Sequence, residues 1–480
     1  MRKSKGIEMK LKTLTNAILL STLCTQGVYA AAMDRSGQSI SAFLQPNNYF
    51  EAGVSVLDAD VSGKMRDNWN VPSTDQYKSG ADMSNTSLGD MAESFVIPNF
   101  ALKYQANDHI SLGLIYEQPF GAKAEYSNQD PTHQTAVGSI GLGDKVFDNS
   151  GAFHRNGEST QVSVDSQSLS FIVGYQPNEN WNIYGGPVYQ SVKGDVQLRG
   201  SVYGPLGGGM CTIALSRPIC SDMKDFESGD LSNGYNASIP EKFEFGYLAG
   251  LAFQIPKIAL KTSLTYRSEI DYKVDVDEKM AYASLDLLSL APLGGLPILG
   301  KNYVYKEGKT NITTPQSINL DFQTGIMADT LAFVNVRWVD WSKFSIRPQK
   351  FGELASALTQ KVAGTPRGFD LIAYEKDQIS ANFGVARKLN EQWALSVLGG
   401  WDSGVGELTS TLGPTDGYWS AGLGAQFSPT PATFIQAGAR YFWLGDAKAQ
   451  SASWFGTERY DAEFKDNTAI GYSVKMGYRF

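Results

Sequence analysis

Between Ala469 and Phe480 every second residue is large and apolar. Ile470, Tyr472, Val474, Met476, Tyr478 and Phe480 fall on one face; Ala469, Gly471, Ser473, Lys475, Gly477 and Arg479 fall on the other. A period of two is strand geometry. An apolar, aromatic face this continuous needs an apolar neighbour along its whole length. Lipid outside a closed barrel wall supplies one, with a polar lumen on the opposite face.

The pattern recurs through the chain. Period-two runs of strand length cover 49–61, 94–105, 108–117, 162–176, 181–198, 242–254, 258–276, 317–327, 331–341, 378–388, 392–402, 418–428, 433–444 and 468–480. In the clearest of them, Phe243, Phe245, Tyr247, Ala249, Leu251 and Phe253 oppose Glu244, Gly246, Gly250 and Ala252. Short and long connections alternate from the first run to the last, with the long ones near 62–93, 118–161, 199–241, 277–316, 342–377, 403–417 and 445–467. In an antiparallel meander every second connection emerges at the same end, so the long loops gather at one end and the short turns at the other. An even strand count with this asymmetry is the arrangement of bacterial outer-membrane barrels. The fold expected is therefore all-β: a 14-stranded antiparallel transmembrane β-barrel over 49–480, with 31–48 as a short N-terminal plug. Aromatic residues at strand ends, among them Trp181, Trp338, Trp341, Trp393, Trp419 and Trp443, suit the two interfacial belts.

Other membrane and partner classes fit less well. Arg2, Lys3, Lys5, Lys10 and Lys12 precede an apolar stretch from Ala17 to Leu23, and Val28-Tyr29-Ala30 offers a cleavage site. Residues 1–30 are thus expected to be a signal peptide. No later window has the run of apolar residues that a transmembrane helix needs. A formal net charge of −8 without basic tracts argues against a nucleic-acid partner. Cys211 and Cys220 lie in one Gly-rich, Pro-bounded stretch; a small disulfide loop and two separate thiols both remain open. His109, His133 and His154 fall at no metal-binding spacing, and no Ser-His-acid signature emerges, so no metal, cofactor or catalysis is expected.

Two segments carry the functional expectations. If Leu260, Leu264, Tyr266, Ile270, Tyr272, Val274 and Val276 face lipid, then Lys261, Arg267, Glu269, Asp271, Lys273 and Asp275 face the lumen. Charges aimed at lipid would be costly. Arg337 adds a further inward cation, and Lys103, Arg387 and Lys475 sit on plausible inward faces. These charges either hold barrel and plug together or orient an anionic headgroup; Arg267, Lys273 and Arg337 are the candidates for the second role. In the plug, Ile40, Phe43 and Leu44 are expected to enter the barrel. The second segment is the run 281–300, which is very apolar for a long exterior connection. Leu285, Leu287, Leu288, Leu290, Leu293, Leu296, Ile298 and Leu299 cannot all face water. They form an external core, a greasy capture groove, or both.

Three runs resemble one family. LTYRSEIDYKVDVDE (264–278), LAFVNVRWVDWSKF (331–344) with its Trp-Ser-x-Phe ending, and GFDLIAYEKDQISANFGVARKLNEQWALSVLGGWDSG (368–404) are similar, in that order, to segments of the FadL/TodX outer-membrane transporters. The resemblance implies a 14-stranded barrel obstructed by an N-terminal hatch, in the outer membrane of a Gram-negative bacterium. It implies passive uptake of long-chain fatty acids or related hydrophobic compounds through an external groove, an internal site and an opening in the wall. The chain departs from the family at the plug: 31–48 is shorter than the usual hatch, and Gln45-Pro46-Asn47-Asn48 stands where an Asn-Pro-Ala element is usual. The implied partners are the hydrophobic cargo, outer-membrane lipid and lipopolysaccharide, and the barrel assembly machinery that reads Phe480; the barrel is expected to be monomeric. The alternatives are a channel for aromatic hydrocarbons and a structural barrel displaying an adhesin or receptor surface.

Overall fold

A computed structural model describes residues 33–68, 83–126, 135–140, 144–148, 151–155, 157–200, 202–203, 234–279, 306–363, 367–454 and 456–480. Fourteen strands form the wall: β1 (Tyr49–Asp60), β2 (Phe95–Gln105), β3 (Ile110–Glu117), β4 (Gln161–Tyr175), β5 (Trp181–Leu198), β6 (Tyr235–Ile255), β7 (Leu260–Arg267), β8 (Ser317–Met327), β9 (Thr330–Val339), β10 (Gln378–Lys388), β11 (Trp393–Asp402), β12 (Tyr418–Phe427), β13 (Thr433–Leu444) and β14 (Thr468–Arg479). Each pairs antiparallel with its neighbours in sequence, and β14 closes the ring on β1 from Tyr49↔Arg479 to Asp60↔Thr468. Closure of β14 on β1 leaves no free ladder edge at that seam, which hydrocarbon could not satisfy.

The alternation sorts residues as a barrel requires. On β14, Tyr472, Val474, Met476 and Tyr478 are exposed on the outer face, while Lys475 is buried in the lumen. Aromatic pairs sit at both ends of the wall: Trp181–Phe253 and Trp393–Phe427 near the short turns, and Trp401–Trp419 and Tyr441–Trp443 near the long connections. Three of the short turns share one device. Asn107, Asn178 and Asn390 each use the side-chain oxygen to accept from backbone N–H groups at the start of the next strand, at 2.8–3.1 Å. Asparagine suits this because its short amide reaches its own backbone two and three residues on.

At the other end the long connections build a cap. Leu408–Ser410, Ala447–Gln450, Ala462–Phe464, Ser62–Met65 and Ser87–Asp90 form a five-stranded sheet in that order. An apolar core including Met65, Leu88, Phe442 and Phe464 lies among the cap and the wall ends. A helix, α1 (Gln349–Ala363), buries Phe351, Leu354 and Ala355. Their i, i+3, i+4 spacing is an amphipathic signal that the strand-based reading passed over.

Three expectations need correction. Arg387 is exposed and shares the outer face of β10 with Phe383 and Val385, not the lumen. The run 258–276 is not one wall strand. β7 ends at Arg267, and Ile270–Val274 pairs instead with Thr310–Thr314 in a separate hairpin. The break at Ser268–Glu269 inverts the faces. Ile270, Tyr272 and Val274 become buried, with Tyr272 bonded to Gln190, while Asp271, Lys273 and Asp275 turn to solvent. Alternation shows that a strand has an apolar face, but not whether that face meets lipid or a protein core. Trp341 is likewise no interfacial anchor: it is fully buried, donates from Nε1 to Gln378 at 2.7 Å, and packs edge-on against Phe120, Phe344 and Tyr374.

Candidate functional site

The lumen is filled by the hatch, residues 33–48. Its polar first half is bonded to the wall on more than one side. Arg337 on β9 donates to Asp34 (2.6 Å), Gln38 (2.9 Å) and, on neighbouring β8, Asn319 (2.7 Å). Asn319 in turn donates to the Gly37 carbonyl at 2.7 Å, and Ser317 to Gln38 at 3.1 Å. Arg267 on β7 pairs with Glu117 at 3.3 Å and donates to Ser170 at 3.1 Å; Glu117 also accepts from Ser36 at 3.1 Å. Alternation explains why these groups point inward. The hatch explains their signs, because a charge out of water must find a partner.

The apolar second half packs rather than bonds. Ile40, Phe43 and Leu44 are buried, and one tight turn joins them through Phe43 N–H to the Ile40 carbonyl at 3.0 Å. The Phe43 ring occupies the space that side chains at Gly113 and Gly174 would fill, and meets Tyr184 edge-on at 5.8 Å. Those two glycines are cut-outs in the wall for the hatch.

The wall itself is interrupted beside this turn. β2 pairs with β3 only from Phe100↔Tyr116 to Gln105↔Ser111; Phe95–Asn99 pair with β1 alone. On the far side, β3 stops at Glu117, and the chain resumes as Gly121–Glu125, which pairs with β4. The ladder is restored above at the Ala92–Ala124 bridge, next to a Lys123–Glu93 ion pair. The stretch of β2 left without β3 is five residues, Phe95–Asn99, so the gap runs about 17 Å along the strand. Proline borders both margins. Pro98 lies within β2 and Pro119 within the break, and a residue without an N–H cannot complete a ladder there. Inside the break, the hatch takes the missing strand's place: Arg35 N–H donates to the Pro119 carbonyl at 2.7 Å, and Gly121 N–H to that of Met33 at 2.8 Å. The outer side keeps no such partner among the described residues.

Two cavities open along this gap and share Ile97. The upper one encloses about 700 Å³ including its open mouth, beneath 412–415 of the cap, with Leu57, Met91, Phe95, Ala122 and Leu444 among its apolar walls. Arg35 supplies a cation at its edge, stacked 3.9 Å from the Phe95 ring centre and paired with Asp165 at 3.1 Å. The lower cavity, about 430 Å³ by the same measure, runs between the hatch turn and the gap. Its lining mixes inward residues such as Ala42, Glu51 and Ile115 with Phe100 and Tyr116, whose alternation places them on the outer face. Its lining thus draws on both faces of the wall at the break.

The predicted residues separate accordingly. Arg267 and Arg337 are luminal and are engaged by the hatch network. Lys273 is exposed on the outer hairpin and does not join them. The leucine-rich residues from Leu285 to Leu299, and Cys211 and Cys220, lie outside the described residues. The strand reading missed the gap, although Pro98 and Pro119 were a usable signal: a proline inside a period-two run marks an edge or a break. Among the described residues no group of three or more His, Cys, Asp or Glu side chains is placed to hold a metal.

Residues 145–480 match the family described as outer membrane protein transport protein (OMPP1/FadL/TodX). Among solved structures, a Pseudomonas aeruginosa FadL homologue superposes with a TM-score of 0.59 at 16% identity, over 91% of each chain. The P. putida toluene transporter TodX gives 0.50 at 13% identity, over 95% of this chain and 99% of that one. No curated protein sequence matches the chain.

Proposed function

Because the chain belongs to the OMPP1/FadL/TodX family, whose members are outer-membrane β-barrel transporters of hydrophobic compounds in Gram-negative bacteria, we propose that it takes up long-chain fatty acids or closely related amphiphiles passively and releases them sideways. The observation that carries this reading is the continuity of the apolar upper cavity with the interrupted ladder between β2 and β3. A cargo following that path exchanges the cap for the membrane interior without carrying its tail through water. Each buried methylene is worth about 0.8 kcal/mol, so one long tight tunnel would trap an acyl chain, whereas two shallow cavities in series allow release. The leucine-rich run 281–300 is the proposed first point of capture, and no catalytic step is involved.

The test is competitive uptake in cells lacking their own transporter, with oleate, toluene and a water-soluble sugar as probes. Saturable oleate uptake that the sugar does not affect is expected, and Leu287→Ser, Leu288→Ser and Leu290→Ser together should reduce it while the barrel still assembles. Saturable uptake of toluene alone would support the aromatic-hydrocarbon alternative, which the toluene transporter's similar fold keeps in play. Equal passage of all three probes would mean a general pore.

A further inference from the structure

The two cavities along the gap offer a guest opposite charges. Arg35 and Lys123 are in the lining of the upper one, with no carboxylate beside them. The lower one is lined by two carboxylates, Glu51 of β1 and Glu117 of β3, and by no Lys, Arg or His. Alternation turns both inward: Glu51 shares a buried face with Ser55, and Glu117 with Ile115. Glu51 accepts from Tyr49 at 2.5 Å and from Lys475 at 3.1 Å. Glu117 accepts from Ser36 through Oε2, while its Oε1 lies 3.3 Å from Arg267 without a hydrogen bond. A carboxylate has about four acceptor positions, so each keeps room for a further donor. The balancing cations, Lys475 and Arg267, are not part of the cavity lining. At the outer end of the cavity, Phe100 and Tyr116 stack at 5.3 Å across the β2–β3 ladder and supply apolar surface.

From this we infer that the lower cavity is a subsite for the uncharged, hydrogen-bond-donating head of a long-chain amphiphile, and that Glu51 and Glu117 turn away an ionised one. An alcohol or a protonated carboxylic acid has one O–H to give, and a bond from it to a carboxylate is charge-assisted. An anionic head would instead sit beside two like charges, out of bulk water and with no cation in the lining to offset them. Its tail finds the same apolar surface either way, so the head decides which molecule stays. The inference rests on the fatty-acid reading and sharpens it. The cationic lining of the upper cavity tolerates a carboxylate, whereas the lower cavity takes the same molecule only as the neutral acid, in protonation equilibrium with bulk water. Fatty alcohols then pass this point as readily as fatty acids, and permanently anionic amphiphiles do not.

The experiment uses three probes with one acyl chain: oleyl alcohol, methyl oleate, which is neutral and has no donor, and oleyl sulfate, which is permanently anionic. Binding to the purified barrel and uptake by transporter-deficient cells are measured, with folding checked by heat-modifiable gel migration. Wild type is expected to favour the alcohol, then the ester, then the sulfate. In the double variant Glu51→Gln with Glu117→Gln, the preference for alcohol over sulfate is expected to fall about tenfold, the size of one charge-assisted contact. Because that variant leaves Lys475 and Arg267 without their anions, a second one, Glu51→Gln with Lys475→Met, removes one ion pair whole and strands no buried charge; its preference is expected to fall about threefold. A folded variant of either kind that keeps the wild-type preference would overturn the inference. So would a wild type that binds the sulfate as well as the alcohol, or variants that lose all three probes equally, which would make the carboxylates structural only. Wild type that carries neither oleate nor any of the probes would overturn the fatty-acid reading itself. Wild type that carries oleate and the alcohol, with no response to the substitutions, would overturn the subsite alone.

Discussion

Two flanks of the same lumen are closed by different means. Along β7 to β9, Arg267, Asn319 and Arg337 each bond the hatch, and the strands pair along their length with one register shift between Gly325 and Met327. Along β1 to β3 the ladder lapses for several residues, the upper cavity's lining is largely apolar, and the hatch's bonds to Glu117, Pro119 and Gly121 lie beside open cavities rather than against a continuous ladder. The bonded flank fixes where the plug sits. The interrupted flank is the exit in the proposed uptake path. A barrel that closed both sides alike would be either a sealed rod or an open pore.

The comparison breaks most severely if the bonded flank loses its centre. Arg337→Met strands Asp34 in the lumen without its cation, and removing one partner of a buried pair costs about 3 kcal/mol or more. A lower urea midpoint for the purified barrel is expected, together with sensitivity of the cells to large antibiotics that the hatch normally excludes. Unchanged stability and exclusion would show that the hatch is held by something other than this network.

Phe43→Ala is next. The ring fills the recess at Gly113 and Gly174, and losing a buried phenylalanine costs about 3 kcal/mol where the site cannot collapse. Because the loss falls on the hatch turn, leakage of small solutes should rise more than global stability falls. Conductance of the reconstituted barrel measures the first, and the urea midpoint the second. On the interrupted flank, Ala122→Trp projects into the upper cavity from beside the gap. Ala122 pairs with β4 on one side only and lines the cavity, so the cost in stability should be no more than about 1 kcal/mol, while the initial rate of oleate uptake falls severalfold. A normal rate in the folded variant would mean that cargo does not use this cavity.

The wall was legible because a barrel writes itself into local pattern: outward and inward residues alternate, and turn lengths betray which end they occupy. Four observed strands, Trp181–Leu198, Ser317–Met327, Gln378–Lys388 and Thr433–Leu444, have the boundaries that alternation alone predicts. The hatch residues were legible for a similar reason, since an apolar Ile40-x-x-Phe43-Leu44 beside a polar Asp34–Ser39 has only the lumen to enter. What the pattern hid was pairing over distance. That Arg337 reaches Asp34, some three hundred residues earlier, follows from barrel closure and not from either neighbourhood. The gap was hidden too, because β2 keeps its alternation through Pro98 even where its partner has turned away. Helix α1 lies inside the 342–377 connection, where period-two patterning carries no signal for it.

The gentlest test concerns the residue whose placement changed most between sequence and structure. Lys273 alternates with Tyr272 and Val274 as an inward cation would, and in a continuous strand it would face the same lumen as Arg267. The break at Ser268–Glu269 inverts that order, leaving Lys273 exposed on a hairpin with Thr310–Thr314, paired in register with Asn311. An exposed cation with no buried partner contributes within about 0.5 kcal/mol to stability and has no route to a headgroup beneath the cap. Lys273→Ala should therefore leave the unfolding midpoint and the concentration dependence of oleate uptake as they are in wild type, while Arg267→Ala in the same assay lowers stability through unpaired Glu117. A Lys273→Ala variant that takes up oleate with weakened apparent affinity would instead place the outer hairpin on the capture path, and the division between a bonded flank and an open one would have to extend into the cap.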